Sequence, residues 1–217
     1  MIPPESLAQL RSTIYRSLSH LYGRRDESTD LFSEEIYVDL ASQIRKLRSS
    51  DRIAHVSSLL EDFFAKQHEE NPRLSDKLWV ERTRLLVGVQ PSQGPNPPYE
   101  SLYREGVLMG TSTEQVISSY LEADFKSNIR DLPDHISIEF DFMSFLCHKE
   151  STLLSARGND SLEKIRKFQS DFLERHILAW IPSYCDVLAS QSKYEIFEVL
   201  SMLTSEFVLS EREKVLL

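Results

Sequence analysis

A chain of 217 residues, 41% of them hydrophobic, can bury a substantial core as one domain or as two small subdomains. Its 25 basic and 34 acidic residues leave a net charge of −9, which argues against a nucleic-acid surface and suits a basic partner. Cys147 and Cys185 have neither metal-ligand spacing nor the density of a disulfide scaffold, and no run approaches the roughly 18 apolar residues that a membrane span needs.

Helical periodicity runs through nearly the whole chain. Pro3 and Pro4 open a first helix in which Leu7, Leu10, Ile14, Leu18 and Leu21 recur at three- and four-residue steps, up to Gly23. Arg24-Arg25 precedes Asp26-Glu27-Ser28-Thr29-Asp30 rather than an apolar stretch, so it reads as solvated charge near a helix C-terminus and not as an export signal. A second helix is expected from about Asp30 to Leu47. A third follows Asp51 and ends before Pro72, and Ser75 is expected to cap a fourth that leads to Gly88.

Gly88, Pro91, Gly94, Pro95, Pro97 and Pro98 then predict a long irregular connection, continued by a stiff aromatic loop over 97–103. A helix restarts at Ser112 or Thr113 and runs through about Phe125. Residues 126–134 read as a hinge between an N-terminal helical subdomain, 1–125, and a C-terminal one, 135–217.

The hinge ends in Asp131-Leu132-Pro133-Asp134, with His135 next. Pro133 biases Leu132 toward extended backbone, and Asp134 is expected to cap the most hydrophobic helix of the chain. Glu139 and Glu150 fall near its apolar face, so each needs a partner such as an arginine of the fourth helix. One helix is expected over about 160–190, bent at Pro182, and a last one over about 193–209. The fold class is therefore all-α, a single bundle of about eight to ten helices.

Catalytic patterns are missing from the sequence. None of the six glycines forms a phosphate-cradling loop, and no Glu-x-x-His pair of the di-iron bundles occurs. Neither cysteine has the two-residue spacing of a zinc ribbon, and a metal site would need Cys147-His148 and His176 with Cys185 to converge in space; isolated Cys and His in helices are usually packing or surface residues. The expected protein has no catalytic residue and no metal ligand.

Three ordered segments carry a resemblance. Leu78-Trp79-Val80-Glu81-Arg82-Thr83-Arg84-Leu85-Leu86-Val87-Gly88 followed by Pro97-Pro98-Tyr99-Glu100-Ser101-Leu102-Tyr103 resembles the aromatic helix and PPYES loop of the TorD/DmsD/NarJ-type molybdoenzyme maturation chaperones. Asp134 through Met143 is similar to that family's DH-x-x-x-E-x-x-FM helix, and His176-Ile177-Leu178-Ala179-Trp180-Ile181-Pro182 to its H-L-x-x-W-x-P element. The chain departs from the pattern at Leu85-Leu86 and at Leu132-Pro133.

The resemblance implies a cytoplasmic, non-enzymatic chaperone that binds the twin-arginine leader or the apo-form of a molybdopterin oxidoreductase catalytic subunit and assists cofactor insertion before export. No stable membrane insertion is implied, and the protein is expected as a monomer or a homodimer. No resident cofactor follows, and a weak, transient contact with a guanine nucleotide or the molybdopterin cofactor is left open. The implied binding residues are Pro97, Pro98, Tyr99, Glu100, Ser101, Tyr103, Asp134, His135 and Trp180, with acidic Asp134 and Glu100 meeting the leader's arginines and the aromatic side chains its apolar stretch. On that reading Asp134→Ala and Tyr99→Ala weaken leader binding with little change in melting. The alternative is a helical adaptor or regulatory module that binds another protein without a role in cofactor loading.

Overall fold

The computed structural model describes residues 2–24, 31–47, 51–70, 74–88, 94–156 and 159–215. Arg25, the acidic run 26–30, Pro72 and Pro91 lie outside them. The chain is all-α. Its helices are α1 Pro4–Tyr22, α2 Glu34–Leu47, α3 Asp51–Glu70, α4 Leu74–Arg82, α5 Glu100–Glu105, α6 Thr111–Glu122, α7 Ile136–Ser155, α8 Asn159–Phe172, α9 Leu178–Gln191 and α10 Glu195–Val215. Two π-helical turns, Thr83–Val87 and Leu173–Ile177, extend α4 and join α8 to α9.

Several boundaries differ from the sequence expectation. The aromatic loop is extended only to Tyr99, and Glu100 begins the short helix α5. Helix α4 starts at Leu74, so Ser75 lies inside it rather than capping it. The restart expected at Ser112 or Thr113 comes at Thr111, because the Glu105 carboxylate accepts the N–H groups of Thr111 and Ser112, both at 2.7 Å, in place of a cap from the helix's own N-terminus. The single helix expected over 160–190 is α8, a π turn and α9, with Pro182 inside α9. The last helix runs on to Val215.

Packing divides the chain into two units. The first is Met1–Arg24, Tyr99–Trp180 and Val208–Leu217, and the second is Arg25–Pro98 with Ile181–Phe207. This division does not follow a boundary at 126–134, because α1 packs most extensively on α7 and draws the N-terminal helix into the unit that holds 126–134.

In the first unit the α1–α7 contact is close because small residues sit on it at heptad spacing. Ser12 Oγ donates to the Ser144 carbonyl and Ser144 Oγ to the Ser12 carbonyl, each at 2.9 Å, and Ser19 Oγ donates to the Ser137 carbonyl at 2.7 Å. Each hydroxyl satisfies itself on the facing backbone, so the serines stay buried without an orphaned donor. Around this seam Tyr15 and Tyr22 pack on Phe140, and Tyr120, Phe125, Phe142 and Phe172 form a contiguous aromatic core.

Charge is buried in the first unit as well. Arg11 of α1 reaches both Glu211 of α10, at 2.8 Å, and Glu150 of α7, at 3.1 Å. Glu150 also accepts from Arg166 Nε at 2.8 Å and Gln169 Nε2 at 2.9 Å. Its partners thus come from α1 and α8 and not from the fourth helix, whose Arg82 lies buried in the second unit beside Trp79.

In the second unit α2 and α3 pack together through Tyr37 and Phe64, and Phe32 contacts both Trp79 and Phe197 edge-on. Gly88 ends the α4 π turn at φ +73°, a conformation that a side chain disfavours. At Gly94 a Cβ would lie 2.5 Å from the Arg84 carbonyl oxygen, so the connection closes on that helix only through glycine. Neither cysteine is in a disulfide, and both are buried. Among the described residues no helix is long and apolar enough to cross a membrane.

Candidate functional site

The three motif segments supply one buried polar network in the first unit. Its first contact is backbone to backbone: Tyr99 and His135 form an isolated antiparallel bridge, and Glu100 N–H donates to the Asp134 carbonyl at 2.9 Å. The Asp134 carboxylate then accepts Ser101 N–H at 3.0 Å and Ser101 Oγ–H at 2.6 Å. Asp134 therefore caps α5, not the helix that follows it. That helix begins at Ile136, with His135 as its N-cap accepting Ser137 N–H at Nδ1.

Beneath this junction lie two more carboxyl groups. Glu100 accepts from Arg104 through one oxygen and contacts His176 Nδ1 through the other at 2.8 Å. Glu139 accepts Trp180 Nε1–H at 3.1 Å, and the Trp180 ring packs on Tyr103 at a centroid separation of 5.5 Å. Burial, then the negative charge of Glu100, drive the Glu139 carboxyl well above the ordinary glutamate range; Asp134 adds to this, and the Trp180 N–H opposes it. Glu139 Oε1 has no hydrogen-bond partner among the described residues, so this buried carboxyl is held through Trp180 alone.

Stability should follow that proton. Folded Glu139 keeps it to a higher pH than the unfolded chain, whose glutamates titrate near pH 4 (about 4.3), so above that the native state binds more protons and stability falls as pH rises toward the raised folded value. Glu139→Gln keeps a donor toward Glu100 without a titrating group. The variant is expected to gain stability relative to wild type as pH rises above about 4. Parallel pH dependences in urea melts of the two proteins would show that Glu139 is not the responsible group.

The expected site residues separate by depth. Glu100, Ser101 and Asp134 are 0% exposed, Trp180 2% and His135 5%, so these five form the interior of the network. Tyr99 and Tyr103 are half-buried and reach solvent above it. Tyr99 Oη–H donates to Asp131 Oδ1 at 2.7 Å, and its ring stands edge-on to His135 at 5.0 Å. Burial of Asp131 is outweighed by His135, by the Tyr99 hydroxyl and by its other donors, which hold the carboxyl below the usual aspartate range. Pro97 and Pro98 belong to the second unit, where Pro97 lies against Gly88.

Three contributors stood outside the expected site: Asp131, Glu139 and His176. Glu139 and His176 were visible as motif letters. Asp131 was not marked by its own motif position, since its role depends on Tyr99 reaching it across 32 residues of chain. Among the described residues no group of three or more His, Cys, Asp or Glu side chains is placed to hold a metal ion.

Comparison with known proteins adds a second line of observation. The family model described as nitrate reductase delta subunit matches residues 40–186. The chain is 31% identical over 94 residues to the selenate reductase assembly chaperone protein of Thauera selenatis, covering 42% of this chain and 44% of that one. It is 22% identical over 118 residues to the chaperone protein TorD of Vibrio cholerae, covering 53% and 52%. Against the chaperone protein TorD of Aliivibrio fischeri identity is 22% over 197 residues, covering 80% and 90%. The match spans about half the length of the first two relatives. A crystal structure from Archaeoglobus fulgidus, described as a redox enzyme maturation protein, superposes over 95% of this chain and 94% of its own with a TM-score of 0.46 and 16% identity.

Proposed function

This chain belongs to the nitrate reductase delta subunit family, to which the TorD chaperones also belong, and on that premise we propose that it is a maturation chaperone for a molybdopterin oxidoreductase. Its client is the apo catalytic subunit, held through the twin-arginine leader or the unloaded body until the cofactor is inserted, in the cytoplasm and before export. The protein performs no reaction of its own, in keeping with relatives named as chaperones.

The observation that carries this reading is the burial of the motif. Side chains of types suited to acid–base chemistry, Asp134, His135, Glu139 and His176, are committed to one another and to helix caps, which is the economy of a scaffold and not of a reaction centre. What the scaffold presents outward is aromatic: Tyr99 and Tyr103, each fixed from behind by Asp131, His135 or Trp180. Fixed aromatic side chains give large contact area with little rotamer entropy left to lose. Burying roughly 400 Å² of apolar leader surface contributes about 10 kcal/mol at ~25 cal/mol per Å². Association and ordering costs of similar size leave an affinity that permits release.

The test is calorimetric titration with a synthetic twin-arginine leader peptide. Tyr99→Ala and Tyr103→Ala are each expected to weaken binding about tenfold while the melting temperature moves by only a few degrees, since neither ring is fully buried. Wild-type affinity in both variants would remove the aromatic face from the site. A wild-type protein that does not bind leader or apo-subunit would end the chaperone reading.

A further inference from the structure

The two tyrosines of the aromatic face hang on carboxyl groups of opposite character. Tyr99 donates its hydroxyl to Asp131, which also accepts from Arg24 Nε and from Leu132 N–H; burial of this carboxyl is outweighed by His135 and by those donors, so it stays charged. Tyr103 packs on the Trp180 ring at 5.5 Å, and the Trp180 N–H donates to Glu139 at 3.1 Å. The placing of Tyr103 therefore depends on Glu139 at second hand.

Three carboxyl groups meet in this interior, each 0% exposed, and the cations reach one of them. Glu100 of α5 takes Arg104 on one oxygen and His176 Nδ1, from the π turn, on the other. Asp134, ahead of α7, is met by the neutral N–H and hydroxyl of Ser101, while the neighbouring His135 caps α7. Glu139 has the Trp180 N–H of α9 on one oxygen and no partner on the other among the described residues. From α6, Tyr120 faces the cluster as a neutral hydroxyl, pushed well above the tyrosine range by burial and then by Glu139 and Glu100. A buried carboxylate with one neutral donor, facing two other carboxylates, is costlier than its neutral acid. Glu139 is thus the member that keeps its proton, in line with its raised titration from burial and the charge of Glu100.

We propose that Glu139 is a positioning residue of the binding face: as the neutral acid it fixes Trp180 beneath Tyr103, and loss of its proton frees that half of the face while Tyr99 stays held. This rests on the chaperone reading and adds to it a grip that weakens with rising pH. Ionised Glu139 repels Glu100, which begins the short helix that carries Tyr103, and it draws the indole N–H toward a full charge. Both movements part Tyr103 from Trp180. Because the competent form carries the proton, affinity is full below the folded titration of Glu139 and falls as pH rises through it.

The test is calorimetric titration with an acetylated synthetic twin-arginine leader peptide from about pH 6 to about pH 9, the span that a strongly buried glutamate reaches. Wild-type affinity is expected to fall about tenfold across it with helix content unchanged. Glu139→Gln keeps an acceptor for Trp180 and cannot ionise, so it holds the acid-side affinity throughout. Tyr103→Ala binds more weakly but loses the pH dependence, whereas Tyr99→Ala retains it. In Trp79→Phe, which leaves Trp180 as the remaining one of the two tryptophans, emission is expected to shift with pH in a single step that Glu139→Gln abolishes. Flat wild-type affinity, an unchanged pH dependence in Glu139→Gln or in Tyr103→Ala, or the absence of the emission step would overturn the proposal. A wild-type protein that binds no leader at any pH would end the chaperone reading instead, and the emission step, which needs no leader, would still decide whether Glu139 positions Trp180.

Discussion

Replacing Arg11 with alanine is expected to destabilise the protein by about 3–5 kcal/mol, the largest loss from any single charge in it. The guanidinium is 4% exposed, and Glu211, to which it donates at 3.0 and 2.8 Å, is 0% exposed. Its removal strands one carboxylate with no compensating cation and deprives Glu150 of one of its two arginines, leaving Arg166. For a chain of this length that corresponds to a fall in melting temperature of roughly 10 °C. Removing both members, as in Arg11→Met with Glu211→Leu, should recover most of the loss, because the cost lies in the stranded charge and not in the missing attraction. Urea melts of the single and double variants decide it. A loss below about 1 kcal/mol for Arg11→Ala would mean that water reaches Glu211 in solution.

The second large effect is at Asp134, and it reverses the sequence expectation that melting shifts little. Alanine there leaves the Ser101 N–H and hydroxyl without their acceptor in a fully buried setting, for a cost of about 2–4 kcal/mol. Asparagine keeps an oxygen for Ser101 and removes the charge, so Asp134→Asn is expected to cost less than about 1 kcal/mol. Leader affinity measured on the asparagine variant therefore separates direct contact from support. Retained affinity in Asp134→Asn, beside a destabilised Asp134→Ala, assigns Asp134 to holding α5 in place. Equal melting of wild type and Asp134→Ala would contradict the buried cap itself.

The helices were legible because their apolar positions recur every three to four residues, a signal that survives without any knowledge of neighbours. Boundaries failed where the capping group comes from elsewhere. No local rule announces that Glu105 caps α6 or that Asp134 caps the helix 34 residues before it, since Asp134 stands in an ordinary capping position for α7. The serine seam of α1 and α7 escaped for a related reason: Ser12 and Ser19 look like polar-face residues until a second helix with its own serines is laid against them. Motif letters named residues that meet in one buried network but not their depth, and depth decides between a contact and a support. Glu100, Asp134 and Trp180 are interior.

The pairing of Arg11 with Glu211 joins side chains 200 residues apart. During synthesis at roughly 5–20 residues per second, the arginine is made some 10–40 s before its carboxylate. Until then α1 can pack on α7 through the serine seam but carries a buried-destined cation with only Glu150 to neutralise it. The final locking of the first unit is thus timed by the emergence of α10.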